Sequence, residues 1–155
     1  MTYLTEQGSQ RNAKEVTVTE WTLSSSTSLS SGNKIVFDTS RSTGTTGVSI
    51  SGTGDFTFAS GKEYYLLMSV DVSRSDNTAN FSFGYYNQAG TLLSASDGAS
   101  ESFWGVGLSA NNISSTLQAV ITDTSQTYSI RCTVSSGTLT TETPSLIIYE
   151  VTRYV

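Results

Sequence analysis

Short apolar and aromatic runs recur along the chain, at 34–37 (KIVF), 55–59 (DFTFA), 64–70 (YYLLMSV) and 145–151 (SLIIYEV), with serine, threonine and glycine between them. Much of this patterning has a period of two, that of a strand with one face in a core. From residue 16, Val16, Val18 and Glu20 share one face and Thr17, Thr19 and Trp21 the other. A Ser-rich loop at 24–33, ending in Ser31-Gly32-Asn33, leads into a predicted strand at 34–37, and another Ser/Thr/Gly loop follows Asp38. Val48 and Ile50 make a short strand. The turns at 52–54 and 60–61 bracket a strand with Phe56 and Phe58 on one face. The longest predicted strand is 63–73. There Tyr64, Leu66, Met68, Val70 and Val72 face one way, and Tyr65, Leu67, Ser69, Asp71 and Ser73 face the other. Its first half is apolar on both faces.

Further on, Phe81, Phe83 and Tyr85 alternate with Ser82, Gly84 and Tyr86, and Asn87-Gln88-Ala89-Gly90 is a hairpin signal before a short strand at 91–93. Residues 94–116 are the least regular part, and a segment of that length is usually functional or covered by a partner. Strands resume at 117–122, 128–134 and 146–151; Tyr128, Ile130, Cys132 and Val134 share a face. No stretch sustains helical spacing beyond about two turns, and β-branched residues disfavour helix throughout. Eight to ten short strands, with turns every ~8–12 residues, predict an all-β fold: a two-sheet antiparallel sandwich with little or no helix. The jelly roll accommodates such long crossing loops and exposed edges. Residues 1–15 are polar and read as an N-terminal arm, in which Tyr3, Leu4 and Arg11 are the candidate attachment contacts; residues 16–155 read as the single sandwich domain.

The order of a Trp-bearing first strand (Glu20-Trp21), then GNKIVFD, FTFASGKEYYLL, an aromatic strand, LQAVI, YSIRCTV and a terminal SLIIYEV resembles the C1q/TNF-like jelly roll. It looks most like the versions found in tailed-bacteriophage virion proteins. The resemblance spans roughly residues 16–152 and is best over 56–67 and 146–151. It implies a homotrimer in which the first and last strands lie side by side. No collagen-like stalk accompanies it, which speaks against a secreted animal ligand.

Composition narrows the picture. Serine and threonine make up about a third of the 155 residues, well above average usage, while only 14% are charged. Disorder is the wrong reading of such polarity, because eight Tyr, six Phe and two Trp sit in runs with Val and Ile. The net charge of −5, with Lys and Arg scattered singly, offers no basic stripe for nucleic acid or an anionic membrane. One cysteine excludes an intrachain disulfide framework. No apolar run reaches the ~18 residues of a spanning helix, and the first residues lack the apolar core of a signal peptide.

Residue types for chemistry are sparse. Histidine is absent, which removes Ser-His-Asp and Cys-His catalysis and histidine-held zinc. Asp71, Asp76 and Asp97 sit near turns and could pair as a glycosidase acid and base, but solvated turn residues are the simpler reading. DVSRSDN at 71–77 has oxygen ligands at near-alternate positions yet lacks the glycine and distal glutamate of an EF-hand. Gly105-Val106-Gly107 has no lysine and no helix to make a phosphate loop, and Cys132 reads as a buried thiol. Phe103 and Trp104 are candidate surface-recognition residues, with sealing of the sandwich end as the alternative. Tyr65, Leu67, Tyr85 and Tyr149 are the candidate trimer-interface residues.

The expectation is therefore a protein without catalytic, metal or cofactor sites. It is a structural virion protein, made in the host cytoplasm, that decorates or cements an assembled phage shell as a trimer, its partners being its own copies and the major capsid or another virion protein. The alternative is a receptor-binding or fibre-tip domain for host glycans. A hydrolase ranks last, and neither nucleic acid nor membrane is an expected partner.

Overall fold

The computed structural model describes residues 14–74, 81–94, 102–104, 113–134 and 139–153. The strands are β1 (Lys14–Thr22), β2 (Thr27–Leu29), β3 (Thr39–Ser42), β4 (Val48–Ile50), β5 (Asp55–Phe58), β6 (Glu63–Arg74), β7 (Phe81–Asn87), β8 (Ser102–Trp104), β9 (Ile113–Ile121), β10 (Tyr128–Val134) and β11 (Leu139–Arg153). One sheet runs β3-β1-β11-β6-β9, with β2 beside the first part of β11; the second runs β4-β5-β10-β7-β8. Every pairing is antiparallel.

With the short β2, β3 and β4 set aside, the remaining strands pair from the outside in: β1 with β11, β5 with β10, β6 with β9, β7 with β8. That is a long double-stranded ribbon rolled so that successive pairs fall in alternate sheets, the connectivity of a jelly roll. It also brings first and last strands together over nine residue pairs, Lys14 opposite Arg153 to Thr22 opposite Ser145.

The core follows the period-two expectation. Tyr64, Leu66, Met68, Val70 and Val72 of β6 are buried together with Leu117, Ala119 and Ile121 of β9. Opposite them lie Phe56, Phe58, Phe81, Phe83 and Tyr85, with Tyr128, Ile130, Cys132 and Val134 of β10. Phe58 sits at the centre of an aromatic group, its ring 4.7 Å from that of Tyr64 and 5.8 Å from that of Tyr128. Such tilted pairs add about 0.5–1.5 kcal/mol each beyond burial.

Four segments depart from the sequence expectation. Residues 34–37 are extended but form no regular strand: Lys34 bridges Arg131 and the Ile35 N–H donates to the Ile130 carbonyl at 2.9 Å. Ile35 and Phe37 are nonetheless buried. Their burial carries the segment where the ladder does not, and Gly54 lets the backbone close over it. At Gly54 φ is +80° and an added Cβ would lie 2.7 Å from the Ile35 carbonyl oxygen, so no other residue fits there without strain. The loop after Asp38 instead contains β3, which pairs with β1, and the Ser-rich loop before it contains β2, held by burial of Leu29. Residues 91–93 make only a bridge, Tyr86 opposite Leu92.

β11 is longer than its apolar run suggests because a bulge joins two pairing segments. The register with β6 slips between Glu142 and Ser145, where Thr143 has φ 41° and Pro144 lacks an N–H to donate. The slip exchanges faces. Leu139 and Thr141 point inward before it, Leu146, Ile148 and Glu150 after it.

Candidate functional site

The two outer faces of the sandwich differ in chemistry. On the sheet containing β5, β7 and β10 the outward positions are mainly hydroxyls and charges, with Leu92 lying over Gly84. Ser49 and Thr57 share a hydrogen bond, and Lys34 pairs with Asp55, holding the Asp55 carboxyl below its usual range. The Arg131 guanidinium lies 5.1 Å over the Tyr86 ring. Water or a polar partner suits that face.

The other sheet presents apolar side chains. Strand β1 is the surprise, because its threonines rather than its valines face the core: Thr17 and Thr19 are buried, while Val16 is 50% exposed. Register then lines up one row across four strands, Val18 opposite Tyr149, Tyr149 opposite Tyr65, Tyr65 opposite Val120. The next row is Glu20, Ile147, Leu67 and Gln118. Tyr65, Leu67 and Tyr149 are 40%, 38% and 38% exposed. A shallow groove of about 240 Å³ runs between them, with Gln118 and Val120 on its far side. A contiguous apolar surface of this kind, with acidic Glu20 and Glu63 at its margin, marks an interaction site more often than a solvated one.

Three of the four residues expected at an interface thus stand together on this face. Tyr85 does not. It is fully buried on the inner face of β7, its hydroxyl donating to the Leu117 carbonyl at 3.5 Å, and burial pushes its pKa well up. The alternation Phe81, Phe83, Tyr85 had already given it the parity of the core.

Phe103 and Trp104 belong to β8, opposite Ser82 and Phe81 at one edge of their sheet; their side chains lie outside the described residues. Tyr3, Leu4 and Arg11 of the arm, Asp76, Asp97 and the 105–107 glycine segment also lie outside the described residues. β1 begins at Lys14, two residues before the expected boundary of the arm. Asp71 is exposed within β6, so 71–74 is strand and not the loop that a calcium site requires. Among the described residues no three acidic or cysteine side chains gather as metal ligands. Cys132 is buried in the apolar core, which pushes its thiol up to about 12, so little of it is thiolate at neutral pH.

A polar cluster inside one end of the sandwich was not anticipated. Glu150 is 2% exposed, with the inward parity of Leu146 and Ile148. Its carboxylate pairs with Lys62 and accepts the Gly47 N–H at 2.6 Å. The Tyr64 hydroxyl lies against it and donates to the Ala59 carbonyl at 3.2 Å. An added Cβ on Gly47 would come within 2.7 Å of both Tyr64 Oη and the Ala59 Cβ, so only glycine lets this backbone donor reach the carboxylate. The signal was present in the sequence as a charged residue at a core-parity position of SLIIYEV.

Burial, helped by the Glu150 charge, pushes the Tyr64 phenol up from 10 to about 12. The folded state therefore holds this proton more tightly than the unfolded chain. The associated stability is complete below pH 10 and is lost as pH rises towards 12. Chemical denaturation across that interval should show falling stability, with a shallower slope in Tyr64→Phe; an unchanged slope would place the alkaline loss elsewhere.

The arrangement as a whole is a rigid sandwich with one sticky sheet face. No protein-family model and no curated protein matches this chain.

Proposed function

We propose that this chain is a structural subunit of a virion, a jelly-roll protein that associates with two further copies of itself through the outer face of the β1-β11-β6-β9 sheet and decorates an assembled phage shell. The observation that carries this reading is the row Val18, Tyr149, Tyr65, Val120 with Ile147 and Leu67 beside it. A chain with net charge −5 repels its own copies, and a face whose centre is uncharged and apolar is where they can meet with least opposition. The trimeric stoichiometry and the virion setting rest on the resemblance of the strand order to C1q/TNF-like phage domains. A role in binding and assembly, not catalysis, suits a chain without histidine whose buried carboxylate is engaged by Lys62 and a backbone N–H.

Sedimentation equilibrium tests the reading. The expected species has three times the 16.5 kDa chain mass, and the double change Leu67→Asp with Tyr149→Asp is expected to shift it to the monomer. A wild-type monomer, or a trimer that survives the double change, would overturn it. The arm is tested separately with a chain lacking residues 1–13, which leaves β1 whole. That chain is expected to keep the trimer mass but to fail to co-sediment with shells; full retention on shells would remove the arm from attachment.

A further inference from the structure

A cleft of about 550 Å³ opens between the turn that follows β7 and the turn that joins β9 to β10. Its volume falls within the roughly 300–1,000 Å³ of small-molecule sites. The floor is apolar, its accessible part from Leu92, Leu93 and Val120 over the buried Ile121 and Tyr128, and the rim is polar, from Asn87, Thr91, Thr122, Asp123 and Gln126.

Both rims are braced from within. Asn87 Oδ1 accepts the Thr91 N–H at 2.9 Å. Asp123 Oδ1 accepts the Ser125 N–H at 3.0 Å and its hydroxyl at 2.6 Å, while Oδ2 accepts the Gln126 side-chain amide at 2.6 Å. The Tyr128 hydroxyl donates to the Asp123 carbonyl at 2.7 Å. These bonds fix the rim before any ligand arrives, which lowers the ordering cost of binding.

They also leave capacity over. A carboxylate oxygen accepts more than one hydrogen bond, and Oδ2 of Asp123 has one partner here. The hydroxyls of Thr91 and Thr122 have no side-chain partner among the described residues, and the Asn87 amide nitrogen adds a donor. No lysine or arginine lines the cleft, and Asp123 is its one charge. Hydrogen bonds from Ser125 and Gln126 hold the Asp123 carboxyl below its usual range, so it is ionised at neutral pH. An anionic ligand meets repulsion without compensation, and a metal ion finds a single carboxylate where several oxygen ligands are needed. What fits is an uncharged molecule with many hydroxyls and an apolar ring face, donating to the carboxylate and stacking its C–H surface on the floor.

We infer that this cleft binds a neutral oligosaccharide. The site is separate from Phe103 and Trp104. Asn87 and the β8 residues lie at opposite ends of β7, about 20 Å apart at the rise of a strand. The cleft shares Val120 with the outer face used in the proposed association, but Thr91, on the turn after β7, lies outside that face.

Saturation-transfer NMR on the full chain is the test, with maltotriose, cellotriose, chitotriose and a sialylated trisaccharide, each at about 10 mM, a concentration that reveals millimolar affinity. At least one neutral trisaccharide is expected to receive saturation, and the sialylated one at least tenfold less. Thr122→Trp and Thr91→Trp, which fill the cleft from opposite rims, are each expected to abolish the transfer while leaving the melting temperature unchanged. No transfer to any neutral sugar, equal transfer to the sialylated one, or transfer undiminished in both variants would overturn the inference. If one variant fails to fold, the other decides.

Discussion

Replacing Leu66 by alanine is expected to cost about 2–5 kcal/mol of stability, while the same truncation of its neighbour Leu67 stays within about 1 kcal/mol for the isolated subunit. The two residues are adjacent in β6 and chemically identical. Leu66 is 2% exposed between the sheets, so removing its side chain leaves a cavity that the rigid strands around it close only in part. Leu67 stands on the outer face and loses contacts that solvent partly replaces. Urea denaturation of both variants at low protein concentration checks the contrast. Equal midpoints would mean that the sheet face assigned to each is wrong. The two changes should exchange ranks in association: under the proposed assembly, Leu67→Ala weakens the oligomer and Leu66→Ala acts only through folding.

The second large effect is expected at Glu150. Glu150→Ala should cost about 2–4 kcal/mol, because it strands the partly buried Gly47 N–H and removes the partner of Lys62. Lys62 is partly exposed and regains water, so the penalty resides mainly in the backbone donor and the space left beside Tyr64. Glu150→Gln keeps an acceptor of the same shape and should recover at least half of the loss. A Glu150→Ala variant that melts with the wild type would show that the end of the sandwich is hydrated and the cluster worth nothing net.

Much of the core was legible because its signal is local. Once Tyr64, Leu66 and Met68 are placed inside, period two assigns Val70 and Val72, and the same rule assigns Tyr128, Ile130, Cys132 and Val134. Applied consistently, it would have excluded Tyr85 from an interface. The rule misled at 34–37, where an apolar run signals burial but burial does not require a ladder. It could not anticipate β3, whose four residues are all exposed and carry no hydrophobic pattern. That strand exists because β1 offers it an unpaired edge.

The candidate interaction face was half legible. A strand start apolar on both sides, as in YYLL, says that one side must find something other than the core of its own subunit, and it named Tyr65 and Leu67. It could not say that Val16 and Val18 join them. An alternating VTVT is equally consistent with either face inward, and the choice is made by the register of β1 against β11, which places Val18 beside Tyr149. The cleft was not legible at all, since Asn87 and Thr91 lie more than thirty residues from Thr122 and Asp123.

By itself, then, the amino-acid sequence determined the all-β class, the jelly-roll order of strands, most of the buried residues and the poverty of catalytic groups, because alternation, turn residues and composition act over a few neighbours. Tertiary structure alone decided which face of β1 turns outward, how the β11 bulge exchanges faces, where Glu150 finds Lys62 and the Gly47 N–H, and which two turns enclose a cleft. Each of these depends on pairing between residues distant in the chain, and register across a sheet is fixed only when all the strands compete for the same core.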